Sequence, residues 1–265
     1  MEKTLSVILL IRPVNCLLAG VAVWVGAHMT WLDPEVVNPL LASIAAFLIC
    51  ASGNIVNDIV DIDIDRVNRP DRVLVQGRLS MQFAIFISIV FNIIAVLCTV
   101  FLNLYSIGMA VLAICLLYLY NYKAKRIPVL GNLFIALLSG MVFLTGGLAV
   151  NVELTLALPG PLIGAVFSIL FHLVREIIKD TEDIEGDMSV GVKTLPQMIG
   201  ERKSVIVAGI IFLLMTLTTY YPILKGWYGD WYKLITVYFV DLPILAFFIF
   251  LWGNPTKKML SITSI

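Results

Sequence analysis

Two short acidic stretches carry the residues best suited to chemistry. The first runs Asn54-Ile-Val-Asn57-Asp58-Ile-Val-Asp61-Ile-Asp63-Ile-Asp65-Arg66-Val-Asn68-Arg69-Pro70-Asp71-Arg72. The second runs Arg175-Glu176-Ile-Ile-Lys179-Asp180-Thr-Glu182-Asp183-Ile-Glu185-Gly186-Asp187. On a helix Asp58, Asp61 and Asp65 stand at i, i+3 and i+7 and share one face. Asn57 lies one turn before Asp61, and Asp63 points elsewhere. Asp180, Asp183 and Asp187 repeat the same spacing, with Glu176 one turn above.

Three carboxylates on one face repel each other and are costly to keep ionised near an apolar medium. A bound divalent cation removes that cost. Carboxylate oxygens suit Mg²⁺, which keeps several waters and takes one or two protein carboxylates plus phosphate oxygens. Two facing acidic helices could clamp a diphosphate between Mg²⁺ ions. Phosphate-binding cations stand nearby in Arg66, Arg69 and Arg72, and again in Lys123, Lys125 and Arg126.

These motifs sit in a very apolar chain. Of its 265 residues, 60% are hydrophobic and 14% charged, and 18 Lys and Arg balance 18 Asp and Glu. The mean hydropathy is +0.98. That excludes a cytosolic enzyme, a nucleic-acid binder, a disordered chain and a secreted disulfide scaffold. It leaves a protein of the lipid bilayer.

A helix needs about 20 apolar residues to cross the hydrocarbon core. Eight stretches qualify: 5–28, 35–57, 81–103, 105–122, 130–150, 158–178, 204–222 and 233–252. They are too long and uniform for barrel strands, so the expectation is all-α, a multi-pass transmembrane helical bundle. The first stretch carries Arg12 and Pro13 and no small-residue cleavage site, and it reads as a retained helix. With the N-terminus inside, 16 of the 18 Lys and Arg fall on the cytoplasmic side. The N-terminus and both acidic motifs are therefore expected at the cytoplasmic face of the cell membrane.

The motifs align at an offset of 122 residues, from Asp58 to Asp180, and four spans separate them. This suggests a pseudo-repeat of four-helix units. The four cysteines, Cys16, Cys50, Cys98 and Cys115, lie inside spans and read as packing residues. Asn92, His172 and Asp241 read as polar contacts between helices.

The sequence resembles the UbiA superfamily of intramembrane prenyltransferases. Asn57-Asp58-x-x-Asp61-x-x-x-Asp65, followed by Asn68-Arg69-Pro70-x-Arg72, is similar to its first acidic motif. Asp183-x-x-x-Asp187 is similar to the second. Tyr120-Asn121-Tyr122-Lys123-Ala124-Lys125, followed by Gly131-Asn132, resembles its tyrosine/lysine loop. Arg12-x-x-Asn15 resembles a first-span motif of the family.

The resemblance implies a helical bundle around a cavity, Mg²⁺ as cofactor, a polyprenyl diphosphate donor and a membrane-embedded lipid or aromatic acceptor. It implies catalytic roles for Asp61, Asp65, Asp183 and Asp187. It implies a metal set of Asn57, Asp58, Asp61, Asp65, Asp180, Asp183 and Asp187, with Asp58 and Asp180 in support. Substrate contacts would come from Arg12, Asn15, Asn57, Arg69, Arg72, Tyr120, Lys125 and Lys179.

The second motif, followed by Gly191-Val192-Lys193-Thr194-Leu195-Pro196, looks most like the branch that makes archaeal-type ether lipids. That branch joins a geranylgeranyl group to geranylgeranylglyceryl phosphate. The alternative within the family is an aromatic quinone precursor such as 4-hydroxybenzoate. The alternative from another class is an ion-coupled transporter, which would place its key acids near the bilayer midplane. Residues 1–265 are expected to form one prenyltransferase domain. The family usually has nine spans, so the expectation is a chain truncated before a ninth helix or a member lacking one.

Overall fold

The computed structural model describes residues 2–184 and 193–253. Among the described residues the secondary structure is helical throughout, with no strand. The chain forms two compact units: Met1–Ala124 with Leu138–Ala165, and Lys125–Leu137 with Val166–Ile265.

The first unit begins with α1 (Glu2–Ile11) and α2 (Pro13–His28), a pair bent by 52°. Then come α3 (Val37–Val60), a short α4 (Ile62–Asn68), α5 (Met81–Val100) and α6 (Leu104–Tyr122). It also holds most of α7 (Leu130–Val150), the single turn α8 (Val152–Thr155) and the start of α9 (Pro161–Glu182). Ser80 and Asn103 cap α5 and α6, their side chains accepting from the N–H of Phe83 and Ser106.

Half of the apolar window of α3 is buried, against 22% for α5 and 17% for α6, so α3 is the centre of this unit. α2 and α7 cross at glycines. A Cβ on Gly26 would strike the backbone of Phe143, and one on Gly146 the backbone of Val23 and Ala27. Small residues at such a crossing let backbones approach, which is how helices gain packing energy in lipid.

The segment after α4 is folded onto the core. Val73, Leu74 and Leu79 are buried with Leu10, Ile55 and Ala84. Residues 72–76 make a helical turn that ends in a Schellman motif. The Arg78 N–H donates to Val73 O (3.1 Å) and the Gly77 N–H to Leu74 O (3.2 Å), with Gly77 at φ 66°.

The second unit holds the first turns of α7, most of α9, α10 (Leu195–Ile199), α11 (Glu201–Leu224), α12 (Asp230–Ile235), a π-helical segment (Thr236–Asp241) and α13 (Leu242–Gly253). Its core joins Val174, Ile177 and Ile178 to Ala208, Phe212, Met215 and Phe248. The rings of Phe212 and Phe248 stack at 5.2 Å.

The span count differs from the eight expected. Among the described residues six single helices are long and apolar enough to cross a membrane, and the bent α1–α2 pair makes a seventh if it is one span. The segment 233–252 is helical but divided between α12, the π segment and α13, so none of its pieces reaches span length. Pro243 removes a donor from the ladder there, and the wider π register lies directly before it.

The helix order supports the pseudo-repeat. α2 and α7 end at His28 and Val150, and α3 and α9 at Val60 and Glu182, both at the 122-residue offset of the motifs. Two of the expected polar contacts form between helices. Asn92 Nδ2 donates to Tyr118 Oη (3.4 Å), and Thr219 Oγ1 to Asp241 Oδ2 (3.1 Å). His172 does not do so: its Nδ1 lies 3.0 Å from Ser168 O, one turn back on its own helix. The four cysteines are free thiols.

Candidate active site

Arg12 occupies the break between α1 and α2. The ring of Pro13 disfavours the right-handed helical conformation for the residue before it. Arg12 leaves the helix in the left-handed region, at φ 53°, ψ 69°. The break frees the carbonyl of Ile11, which accepts from Asn54 Nδ2 (2.8 Å) and from Cys16 Sγ (3.1 Å). One asparagine of α3 thus satisfies the backbone that the proline disrupts.

The same break directs the Arg12 guanidinium to Asp58. Arg12 Nη2 donates to Asp58 Oδ1. Arg72 Nη1 donates to both oxygens of the same carboxylate, at 3.2 and 3.4 Å. The Asp58 side chain is 3% exposed, so its carboxylate is held between two guanidiniums away from water. Arg72 reaches it from the Schellman-terminated turn described above.

The helix assumed for the first motif is kinked at Asp61. α3 ends at Val60, and Asp61 has φ −92°, ψ 6° before α4 begins. Backbone bonds run through the kink, from Asp61 N–H to Asn57 O (2.9 Å) and from Asp65 N–H to Asp61 O (2.8 Å). The shared face is therefore only approximate. Asp58 and Asp65 are buried while Asp61 is half-buried.

Asn57 Nδ2 donates to Asp61 Oδ2 (3.0 Å) and to Asn121 Oδ1 (3.0 Å). Burial pushes the Asp65 carboxyl above its ordinary value. Arg72 opposes that shift, Asp58 and Asp61 add to it, and Arg69 opposes it. Arg69 and Asn15 are exposed, and Tyr120 is half-buried near the end of α6. Arg66 pairs with the exposed Asp63 at 2.8 Å.

In the second unit Asp180 lies on the last turns of α9. Its Oδ2 accepts from Asn132 Nδ2 of α7 at 2.8 Å. Lys179 and Asp180 are half-buried and Asp183 is exposed. Thr181 Oγ1 donates to Ile177 O (2.7 Å), and Arg175 Nη1 pairs with Glu176 Oε1 (2.7 Å). Lys125 stands in a 3₁₀ turn, Ala124–Arg126. Asp187 lies outside the described residues.

Sequence reasoning assigned no role to Asn54, Asn121 or Asn132. Each bonds across a sequence separation of 43 to 64 residues. Asn121 and Asn132 lie in the segment that resembles the tyrosine/lysine loop, and for Asn54 the signal that could have found it is polarity, an amide side chain inside an apolar helix.

Among the described residues no three His, Cys, Asp or Glu side chains converge as a preformed metal cluster. Mg²⁺ needs less, since it keeps waters and takes substrate phosphate oxygens. The donor chemistry fits it: the first motif offers the oxygens of Asn57, Asp61 and Asp65, and the mutual repulsion of its acids favours a hard cation.

A model of the UbiA prenyltransferase family matches residues 14–261. The chain belongs to that family, and it is a multi-pass membrane prenyltransferase rather than an ion-coupled transporter.

It is 36% identical over 216 residues to digeranylgeranylglyceryl phosphate synthase of Thermococcus kodakarensis, covering 81% of this chain and 76% of that one. It is 38% identical over 252 residues to the synthase of Methanococcus maripaludis strain C5, covering 94% and 87%. A solved structure concerning digeranylgeranylglyceryl phosphate synthase in membranes is similar, with a TM-score of 0.83 and 34% identity over 100% of this chain and 92% of that one. A UbiA homolog from Archaeoglobus fulgidus bound to DMAPP and Mg²⁺ shares the fold, with a TM-score of 0.74 at 17% identity, covering 98% of this chain and 95% of that one.

Proposed function

We propose that the chain, acting as one domain, transfers a geranylgeranyl group from its diphosphate to the free hydroxyl of geranylgeranylglyceryl phosphate. This acceptor is supported by the relatives named digeranylgeranylglyceryl phosphate synthase, which the chain matches over most of their length. The observation that carries the chemistry is the set formed by Asn57, Asp61 and Asp65 beside two arginines held by one buried carboxylate.

In this reading Asn57, Asp61, Asp65, Asp183 and Asp187 hold Mg²⁺. Bound Mg²⁺ supplies neutralisation of the charge that develops on the departing diphosphate. Asp58 acts through Arg12 and Arg72, fixing both guanidiniums, and Asp180 supports the second motif. Arg12, Arg72, Lys125 and Lys179 offer cationic contacts to the diphosphate, with Arg69, Asn15 and Tyr120 at the margins. The C1–O bond of the donor breaks, the acceptor oxygen bonds to C1 and the hydroxyl proton is released. The apolar helices keep water from the cation-like prenyl group. Both motifs face the cytoplasm, which the side preference of the Lys and Arg supports.

The test is an acceptor panel with labelled geranylgeranyl diphosphate in detergent. Geranylgeranylglyceryl phosphate and 4-hydroxybenzoate are compared by mass spectrometry of the product. A diether phosphate product is expected, with loss of turnover on EDTA and in Asp61→Ala and Asp183→Ala. Prenylated hydroxybenzoate alone would replace the acceptor. Undiminished turnover in both variants would remove the acidic motifs from the mechanism.

A further inference from the structure

The polarity of Asn57 is set by a chain of one-way hydrogen bonds that begins at Leu117. The Leu117 carbonyl can only accept, so the group 3.0 Å away on Asn121 must be Nδ2. That turns Asn121 Oδ1 toward Asn57. An amide oxygen can only accept, so Asn57 presents Nδ2 to it at 3.0 Å. The second hydrogen of that nitrogen goes to Asp61 Oδ2, also at 3.0 Å. Both donors of Asn57 are then used, and Oδ1 is its remaining polar atom.

Asn121 is 1% exposed and lies in the last turn of α6. A buried amide there is costly unless both of its ends are bonded, and both are. We infer that Asn121 is a positioning residue, which holds the Asn57 amide with its oxygen free to face the cation and its nitrogen turned away. The inference rests on the reading of Asn57 as a Mg²⁺ ligand.

A flipped Asn57 would present an NH₂ group to the cation and repel it. It would also set its oxygen against the oxygens of Asn121 and Asp61. Asp61 opposes the flip too, but in the same reading its carboxylate is drawn to the metal. Asn121 is the partner that touches no ligand and so persists through turnover. It acts through Asn57 and not on the substrate.

The test uses the full chain in detergent with two readouts. One is Mn²⁺ binding, followed by the loss of the free-ion EPR signal in the presence of inorganic diphosphate. The other is the Mg²⁺ concentration that gives half-maximal turnover. Removing a group that orients a metal ligand weakens metal binding by about 10–100-fold. Asn121→Leu is expected to weaken Mn²⁺ binding and raise the Mg²⁺ requirement by about tenfold or more, with maximal turnover at saturating Mg²⁺ largely kept. Asn121→Gln keeps both an acceptor for Asn57 and a donor for the Leu117 carbonyl, and it is expected to restore part of the affinity.

Asn57→Asp makes both side-chain atoms oxygen, so orientation ceases to matter. In that background Asn121→Leu is expected to have little further effect, where a purely structural role would give additive losses. If Asn57→Ala shifts the metal requirement but Asn121→Leu does not, the positioning role is overturned alone. If Asn57→Ala shifts nothing, the ligand reading falls and takes this inference with it.

Discussion

Arg12 and Asp58 meet across the bend of the first helix pair, a guanidinium at a proline-made break joined to a carboxylate that is 3% exposed. Arg72 closes the other side of that carboxylate. The pairing makes the positions of two phosphate-seeking groups depend on one buried acid. Removing one partner of a buried pair costs about 3–5 kcal/mol when the other is left uncompensated. Because Arg72 remains, Arg12→Gln is expected to cost less, about 2 kcal/mol. Asp58→Ala leaves two guanidiniums without their acid and should be the more damaging change. Thermal unfolding in detergent measures both. A melting temperature for Arg12→Gln equal to that of the parent would show the pair to be energetically idle.

Asn54 carries a separable prediction. Its Nδ2 bonds the Ile11 carbonyl that Pro13 leaves without a helical partner. Asn54→Leu keeps the volume and removes the donor. Cys16 Sγ still donates to that half-buried carbonyl, so the loss is expected at the low end of the cost of an unmade hydrogen bond, about 1 kcal/mol. The variant should melt lower and should also show a raised KM for the diphosphate, since the break is what aims Arg12. Asn54→Leu with a lowered melting temperature and an unchanged donor KM would separate the break from substrate binding.

Much of this site was legible in the sequence, and the remainder was hidden for a physical reason. The acidic residues announce themselves because charge is so rare in an apolar chain. Pro13 signals a break, yet nothing local says that the break points Arg12 at a residue 46 positions away. Helical spacing put Asp58, Asp61 and Asp65 on one face, but periodicity assumes an unbroken helix, and α3 gives way to α4 at Asp61. Asn54 drew no role, and Asn121 and Asn132 entered only as members of a motif, because an amide in a span reads the same whether it caps a carbonyl or orients a ligand. At the last segment hydropathy registers the apolar run 233–252, which is helical, but not its π register.

Asn132 bonds Asp180 as Arg12 bonds Asp58, each a side chain from a preceding segment that holds the first aspartate of its motif. Asn132→Leu removes the donor to Asp180 and leaves the fold of α9 intact. Turnover is expected to fall by about 10–100-fold, the range seen when a group that orients a metal-binding carboxylate is lost. Asn132→Gln, which can still donate, should recover part of it. Steady-state kinetics with melting curves on the same samples check this. Equal losses in Leu and Gln variants would mean that shape, not the hydrogen bond, matters at this position.

The α2–α7 crossing gives a stability prediction in which two glycines should behave oppositely. At Gly146 an added Cβ would run into the backbone of Val23 and Ala27, and backbone cannot swing aside as a side chain can. The helices would have to separate, losing the close contact that holds them in lipid. Gly146→Ala is therefore expected to lower the melting temperature sharply or to prevent isolation of folded protein. Gly108 lies inside α6, and an alanine methyl there would have nothing within 4 Å of it. At that position the change to alanine removes only the entropic cost of glycine in a helix, worth about 1 kcal/mol. Gly108→Ala should be neutral or slightly stabilising under the same detergent conditions. Matching losses at both positions would show that helix flexibility, and not the close approach of α2 and α7, is what glycine provides in this bundle.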